Sequence, residues 1–185
     1  MKKLVLLILI LLVGLGAFAW AQEKRKPKIP HAGGNVTPAE AFKMLAENPQ
    51  DTFLIDVRSM AEYELVGHPL MAYNIPYMFW TSKGMKANRD FVKDVTEKFK
   101  KTDKLIVICR SGKRSCRATN KLVKAGFKRV YNMLDGFEGD KVRTLRSPDF
   151  GLRRKINGWQ HDKLPYTYSL NKKFTYKLHD SCGCD

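Results

Sequence analysis

The stretch from Lys104 to Leu134 constrains the fold more tightly than any other part of the chain. "KLIVIC" (Lys104 to Cys109) is a short apolar run rich in β-branched residues, which reads as a central strand. "SCRATNKLVKAGF" (Ser115 to Phe127) reads as a helix ended by Gly126, and "RVYNML" (Arg129 to Leu134) as the next strand. The same alternation holds upstream. In "TPAEAFKMLAEN", Thr37 is placed as N-cap, Pro38 at the first helical position and Glu40 three after the cap, a capping-box arrangement that starts a helix. "TFLIDV" (Thr52 to Val57) is a buried strand, "SMAEYELV" a short helical segment, and "NRDFVKDVTEKF" (Asn88 to Phe99) an amphipathic helix with Phe91, Val92, Val95 and Phe99 on one side. Strands alternating with helices predict an α/β fold, a parallel sheet flanked by helices on both faces. No repeat or low-complexity segment interrupts it.

Ahead of this domain, Met1-Lys2-Lys3 gives a charged start, "LVLLILILLV" an apolar centre and "AFAWA" small residues at Ala-x-Ala spacing. This pattern predicts a signal peptide over 1–21, or an uncleaved anchor, since Leu4 to Ala21 just reaches the length of a membrane-spanning helix. Either reading places the domain outside the cytoplasm, periplasmic or secreted, with a membrane partner only if the segment stays attached. Residues 22–34, with two prolines and a Gly pair, read as an exposed linker containing a solvent-facing His31. The domain proper is expected over 35–160 and a C-terminal tail over 161–185. The net charge is +16, or +14 once a segment carrying only Lys2 and Lys3 is removed, which favours small anions or an anionic surface. The basic residues are scattered and no nucleic-acid module is legible, so no nucleic-acid partner is expected.

A buried strand running into a tight loop and a helix puts the loop at the carboxyl edge of the sheet, where open α/β folds bind ligands. Cys109 is therefore aimed at a pocket. If the loop curls around it, the N–H groups of the following residues and the amino end of the next helix point toward the sulfur, and Gly112 allows the turn. Arg110, Lys113 and Arg114 add positive charge, and such surroundings favour thiolate over thiol. A thiolate stabilised in advance needs no general base and suits attack on a group that arrives as an anion. The plainer alternative is that Cys109 is a small apolar filler at the end of a core strand.

These residues resemble those of a single-domain rhodanese, a thiosulfate sulfurtransferase-like protein. "LIDVRSMAEYELVGHPLMAYNIP" (Leu54 to Pro76) is similar to the family's Asp-x-Arg, Glu-Tyr, Gly-His and Asn-Ile-Pro signature, "VICRSGKRS" to its active-site loop, and "ATNKLVKAGFKRVYNMLDGF" to the helix and strand that follow. Trp159 stands for a late tryptophan. The resemblance implies about five parallel strands and a persulfide carried on Cys109. It implies that Arg110 and Arg114 orient an anionic donor such as thiosulfate, that the backbone of Ser111, Gly112, Lys113, Arg114 and Ser115 cradles the sulfur, and that a thiol, a protein acceptor or cyanide takes it up, with no cofactor. Asp56, Arg58, Glu62 and His68 belong to the signature and are expected to support the fold and the loop. Cys109 and Arg114 are spaced C-x4-R, whereas phosphatases on this fold need C-x5-R, a position held here by Ser115. The smaller loop suits sulfur.

Two departures stand out. A basic insertion, about 137–157, separates Asp135-Gly136 from Gly158-Trp159 near the expected pocket side, and the tail exceeds what the family core requires. Cys116 reads equally as a packed filler or a resolving thiol. Cys182 and Cys184 are expected to pair, with each other or with Cys116, or to act as a mobile dithiol that relays sulfur. "HDSCGC" offers three ligands at a chain end, and His161 and His179 read as surface residues, so no metal is expected. A second function is a sulfur-delivery or sensing module that docks an acidic partner through Lys141, Arg143, Arg146, Arg153, Arg154 and Lys155.

Overall fold

The computed structural model describes residues 26–176, so the predicted signal peptide, His179, Cys182 and Cys184 lie outside the described residues. Thr37 caps helix α1 (Pro38–Glu47) with a complete capping box, and Ser59 caps α2 (Met60–Val66) in the same way through Glu62. Each box satisfies orphan N–H groups at both the cap and the third helical position, which fixes where the helix begins. Helix α3 spans Phe91–Lys98, and α4 spans Lys113–Lys124. α4 begins two residues earlier than expected, because Gly112 takes a left-handed conformation (φ +91°) and serves as N-cap.

Strands β1 (Gly34–Val36), β2 (Thr52–Asp56), β4 (Tyr73–Asn74), β7 (Lys104–Ile108) and β8 (Arg129–Met133) form one five-stranded sheet in the order β1-β8-β7-β2-β4. Every pairing in it is parallel. Alternation along the central strand sends Leu105, Val107 and Cys109 into a core with Phe91 and Val95 of α3 and Ala118 and Leu122 of α4. Ile106 and Ile108 enter a second core with Ala41 of α1, Tyr63 of α2, Phe137 and Trp159. The sheet is thus covered on both faces, as a continuous apolar strand requires.

Three features escape the sequence pattern. Residues 26–34, read as part of an exposed linker, lie against the domain: Ala32 donates its N–H to Asn120 Oδ1 (2.9 Å), Lys28 pairs with Asp140, and Gly34 opens β1. His31 is half-buried beside Asn35. Next, β5 (Met78–Thr81) and β6 (Gly84–Ala87) form an antiparallel hairpin apart from the main sheet. The tail is strapped on as well. Strand β9 (Tyr166–Thr167) pairs with β3 (His68–Pro69), the Phe174 carbonyl accepts from Asn74 N–H (2.7 Å), and Tyr176 donates to Asp94 (2.9 Å). Among the described residues, no helix is long and apolar enough to cross a membrane, and no cluster of metal-ligating side chains occurs.

Candidate active site

Cys109 follows β7, and its side chain is 1% exposed. The loop from Cys109 to Gly112 bends back so that the Gly112 N–H donates to Sγ at 3.1 Å. The Ser115 hydroxyl lies 3.4 Å from Sγ and 3.1 Å from the Gly112 carbonyl. Its single proton can go to that carbonyl while the sulfur is a thiol, or swing to the sulfur once it is a thiolate. Gly112 provides no side-chain cap, so the positive end of α4 stands uncapped at the loop that holds the sulfur. Of the cradle expected over Ser111 to Ser115, Gly112 and Ser115 are the members at bonding distance.

The loop is held from behind by the segment after β8. Phe137 N–H donates to the Cys109 carbonyl (2.8 Å), and Glu138 N–H to the Arg110 carbonyl (2.9 Å). These bonds satisfy the carbonyls of the first two loop residues and fix the loop to the segment after β8. Gly136, at φ +69°, makes the approach possible, since a Cβ there would stand 2.4 Å from the Cys109 carbonyl oxygen. Phe137 in turn lies under the guanidinium of Arg58, 4.2 Å from its ring centre. Arg58 is fully buried and bonded to Asp56 (Nη2 to Oδ2, 2.6 Å) and to the Gly67 carbonyl (2.8 Å). The signature residues Asp56 and Arg58 therefore brace the loop from the core. His68 stacks on Tyr63 (3.6 Å between ring centres) and is bonded at Nδ1 to the Tyr63 carbonyl. Burial holds its pKa below the ordinary histidine range, so it is a neutral structural residue.

Arg114 makes a two-point contact with Glu62, 2.6 Å from Nη1 to Oε2 and 2.6 Å from Nη2 to Oε1. Burial alone would raise the Glu62 pKa, but the two Arg114 contacts and the Ser59 cap bring it down to about 2. Glu62 thus fixes the Arg114 guanidinium at the rim, which the sequence did not reveal. A cleft of about 570 Å³ opens there, lined by Glu62, Arg110, Arg114 and Glu138 on one side and by Val66, Met78, Trp80 and Met85 on the other. Arg110 is exposed within it, while Lys113 is exposed and stands outside the lining. The basic insertion does reach this side. Arg153 donates to the Gly139 carbonyl (2.6 Å), and its pKa is lowered by burial and by the like charge of Arg110.

Cys116 is fully buried on α4, and burial raises its pKa. In the folded domain its thiol is packed in the core, and the raised pKa favours the thiol over the thiolate. His161 is exposed beside Asp162, and Trp159 is buried with Nε1 donating to the Pro165 carbonyl. The cleft's apolar side was missed in sequence because Met78, Trp80 and Met85 belong to the hairpin. The Gly84 turn in "WTSKGMK" was the available signal.

A parallel sheet with a cysteine loop at its carboxyl edge defines the class, and comparison with known proteins agrees. The model of the rhodanese-like domain matches residues 37–141, and the chain belongs to this family. It is similar to thiosulfate sulfurtransferase 16, chloroplastic, of Arabidopsis thaliana, with 41% identity over 83 residues, covering 45% of this chain and 68% of that one. Against the senescence-associated protein DIN1 of Raphanus sativus it is 40% identical over 83 residues, and it spans 45% of that protein's length. Among solved structures it is similar to Rv0390 from M. tuberculosis, at 32% identity and a TM-score of 0.63, covering 76% of this chain and all of that one.

Proposed function

We propose that this protein is a sulfurtransferase that carries sulfane sulfur on Cys109. The Cys109 thiolate attacks the outer sulfur of an anionic donor such as thiosulfate; the donor's S–S bond breaks, and sulfite departs with the electron pair. A thiol or cyanide then attacks the outer sulfur of the persulfide and returns Cys109 to thiolate. The observation that carries this reading is the loop itself, in which the Gly112 N–H donates to Sγ, the Ser115 hydroxyl lies 3.4 Å from Sγ, and Cys109 and Arg114 keep the C-x4-R spacing. Family membership supports sulfur transfer in general, while thiosulfate as donor comes from the relative of that name. The N-terminal charged, apolar and small-residue pattern supports action outside the cytoplasm. Mass spectrometry of the protein after incubation with thiosulfate tests the reading. A gain of one sulfur on the Cys109 peptide, reversed by cyanide and absent in Cys109→Ser, is expected; no gain on fully reduced protein would overturn it.

A delivery module that docks a partner is favoured by one observation. The insertion exposes Leu145, Phe150, Leu152 and Ile156 among Lys141, Arg143, Arg146, Arg154 and Lys155. Salt-independent, fast turnover without any partner would argue against it.

A further inference from the structure

The cleft at the cysteine loop has two unlike halves. Its charged half, with Arg110 and Arg114, suits a small anion. Thiosulfate has only a few heavy atoms and no apolar surface, so it gives no reason for the other half, where Val66, Met78, Trp80 and Met85 face the same space. The volume of about 570 Å³ lies in the range that takes a larger organic molecule.

The hairpin shows how this apolar wall is built. Trp80 and Met85 are cross-strand partners, so their side chains share one face, together with Met78. Phe79 points to the opposite face and packs on Tyr176, with ring centres 5.8 Å apart. The base of the hairpin is pinned by Asn88, whose side chain donates to the Pro76 carbonyl (2.9 Å) and whose N–H donates to the Tyr77 carbonyl (3.0 Å). Besides the contact of β5 with α2, packing of the hairpin onto the domain uses the Phe79 face and the base. Trp80 is left 68% exposed and Met85 41% exposed on the face that lines the cleft. A large apolar pair that lines the same cleft as Arg110 and Arg114 of the cysteine loop, and is left exposed by folding, is a surface for a ligand.

We infer that the β5–β6 hairpin selects the sulfur acceptor, that this acceptor is a thiol on an aliphatic or similarly apolar body, and that Trp80 and Met85 are its specificity-determining residues. The inference rests on the sulfurtransferase reading and names the substrate class of its second half-reaction. With the apolar body against Trp80 and Met85, the acceptor thiolate attacks the outer sulfur of the Cys109 persulfide. The bond between the two sulfurs on Cys109 breaks, and its electron pair returns to Sγ as thiolate. The acceptor leaves as a persulfide, its thiol proton having passed to water, so no outside oxidant or reductant is consumed.

The test uses the full chain with thiosulfate as donor and a series of acceptors from ethanethiol to hexanethiol. The expected result is a rise in kcat/KM of about two- to fourfold per added methylene, carried mainly by KM. Trp80→Ala and Met85→Ala should flatten that slope, and Trp80→Phe should keep most of it. A flat series in the parent, or an unchanged slope in Trp80→Ala, overturns the inference. A second measurement needs no turnover: hexanol is titrated into the Cys109→Ser chain and tryptophan fluorescence is followed. A saturable shift that disappears in Trp80→Phe is expected, and its absence counts against the hairpin. If no persulfide forms on Cys109, the transfer reading fails and the fluorescence result still decides the hairpin; a persulfide with neither slope nor shift leaves transfer standing and retires the hairpin alone.

Discussion

Arg114 and Glu62 hold α4 to α2 at the rim of the cleft, and both are largely buried. The Glu62 carboxyl has a pKa of about 2 in the folded chain against an ordinary value of 4.5, so folding favours its charged form. A depressed folded value means that the stabilisation is present above pH 4.5 and is lost as the pH falls from there toward 2. The difference corresponds to about 3 kcal/mol. Glu62→Gln should therefore lower stability at neutral pH by about that amount, and the acid limb of a urea-unfolding series between those pH values should flatten. Arg114→Ala should lower both the melting temperature and donor use, because the guanidinium is at once a rim cation and the partner of a buried carboxylate. A variant that lost turnover while keeping the parent's melting temperature would show the ion pair to be dispensable for folding.

At the scale of elements, the cysteine loop depends on the turn that follows β8. Gly136 has a left-handed backbone and sits where any Cβ would strike the Cys109 carbonyl and the Arg110 backbone. Gly136→Ala combines a backbone cost of about 1–2 kcal/mol with a collision against main-chain atoms that cannot swing aside. The loop must shift, taking the Phe137 and Glu138 hydrogen bonds with it. The expected outcome is a folded protein with a melting temperature several degrees lower and a persulfide mass gain that is slowed or lost. Normal persulfide formation in that variant would mean that the loop holds its shape without this support.

Over the whole molecule, the two ends of the described chain act as straps on opposite edges of one sheet. Residues 26–34 cover the β1 side and α4, and residues 166–176 run along the β4 edge to reach α3. Phe174 meets Tyr73 edge-on (4.9 Å between ring centres) and gives its carbonyl to Asn74 of the edge strand. Covering an exposed strand in this way removes a site for unwanted pairing. Phe174→Ala should lower stability by about 1–3 kcal/mol, as partial loss of an aromatic contact would, and should raise the tendency to aggregate on mild heating. Light scattering during a thermal ramp checks the second effect; unchanged melting and scattering would leave the strap without a structural role.

Local signals in the chain were enough for the capping box at Thr37, the two central strands, the flanking helices and the position of Cys109, because each depends on residues within a few positions of one another. The resemblance carried by "VICRSGKRS" and the Asp-x-Arg segment also pointed to the right family. What sequence could not supply were contacts between distant segments. β1 is three residues long and exists through its pairing with β8, almost a hundred positions away. The Glu62 clasp on Arg114 crosses 52 positions, and the Trp80 face acquires meaning only when the hairpin is folded over the loop. Short-range chemistry specified the cysteine loop and the helix after it, whereas the partner that holds Arg114 and the apolar wall of the cleft were decided by packing, which no local pattern encodes.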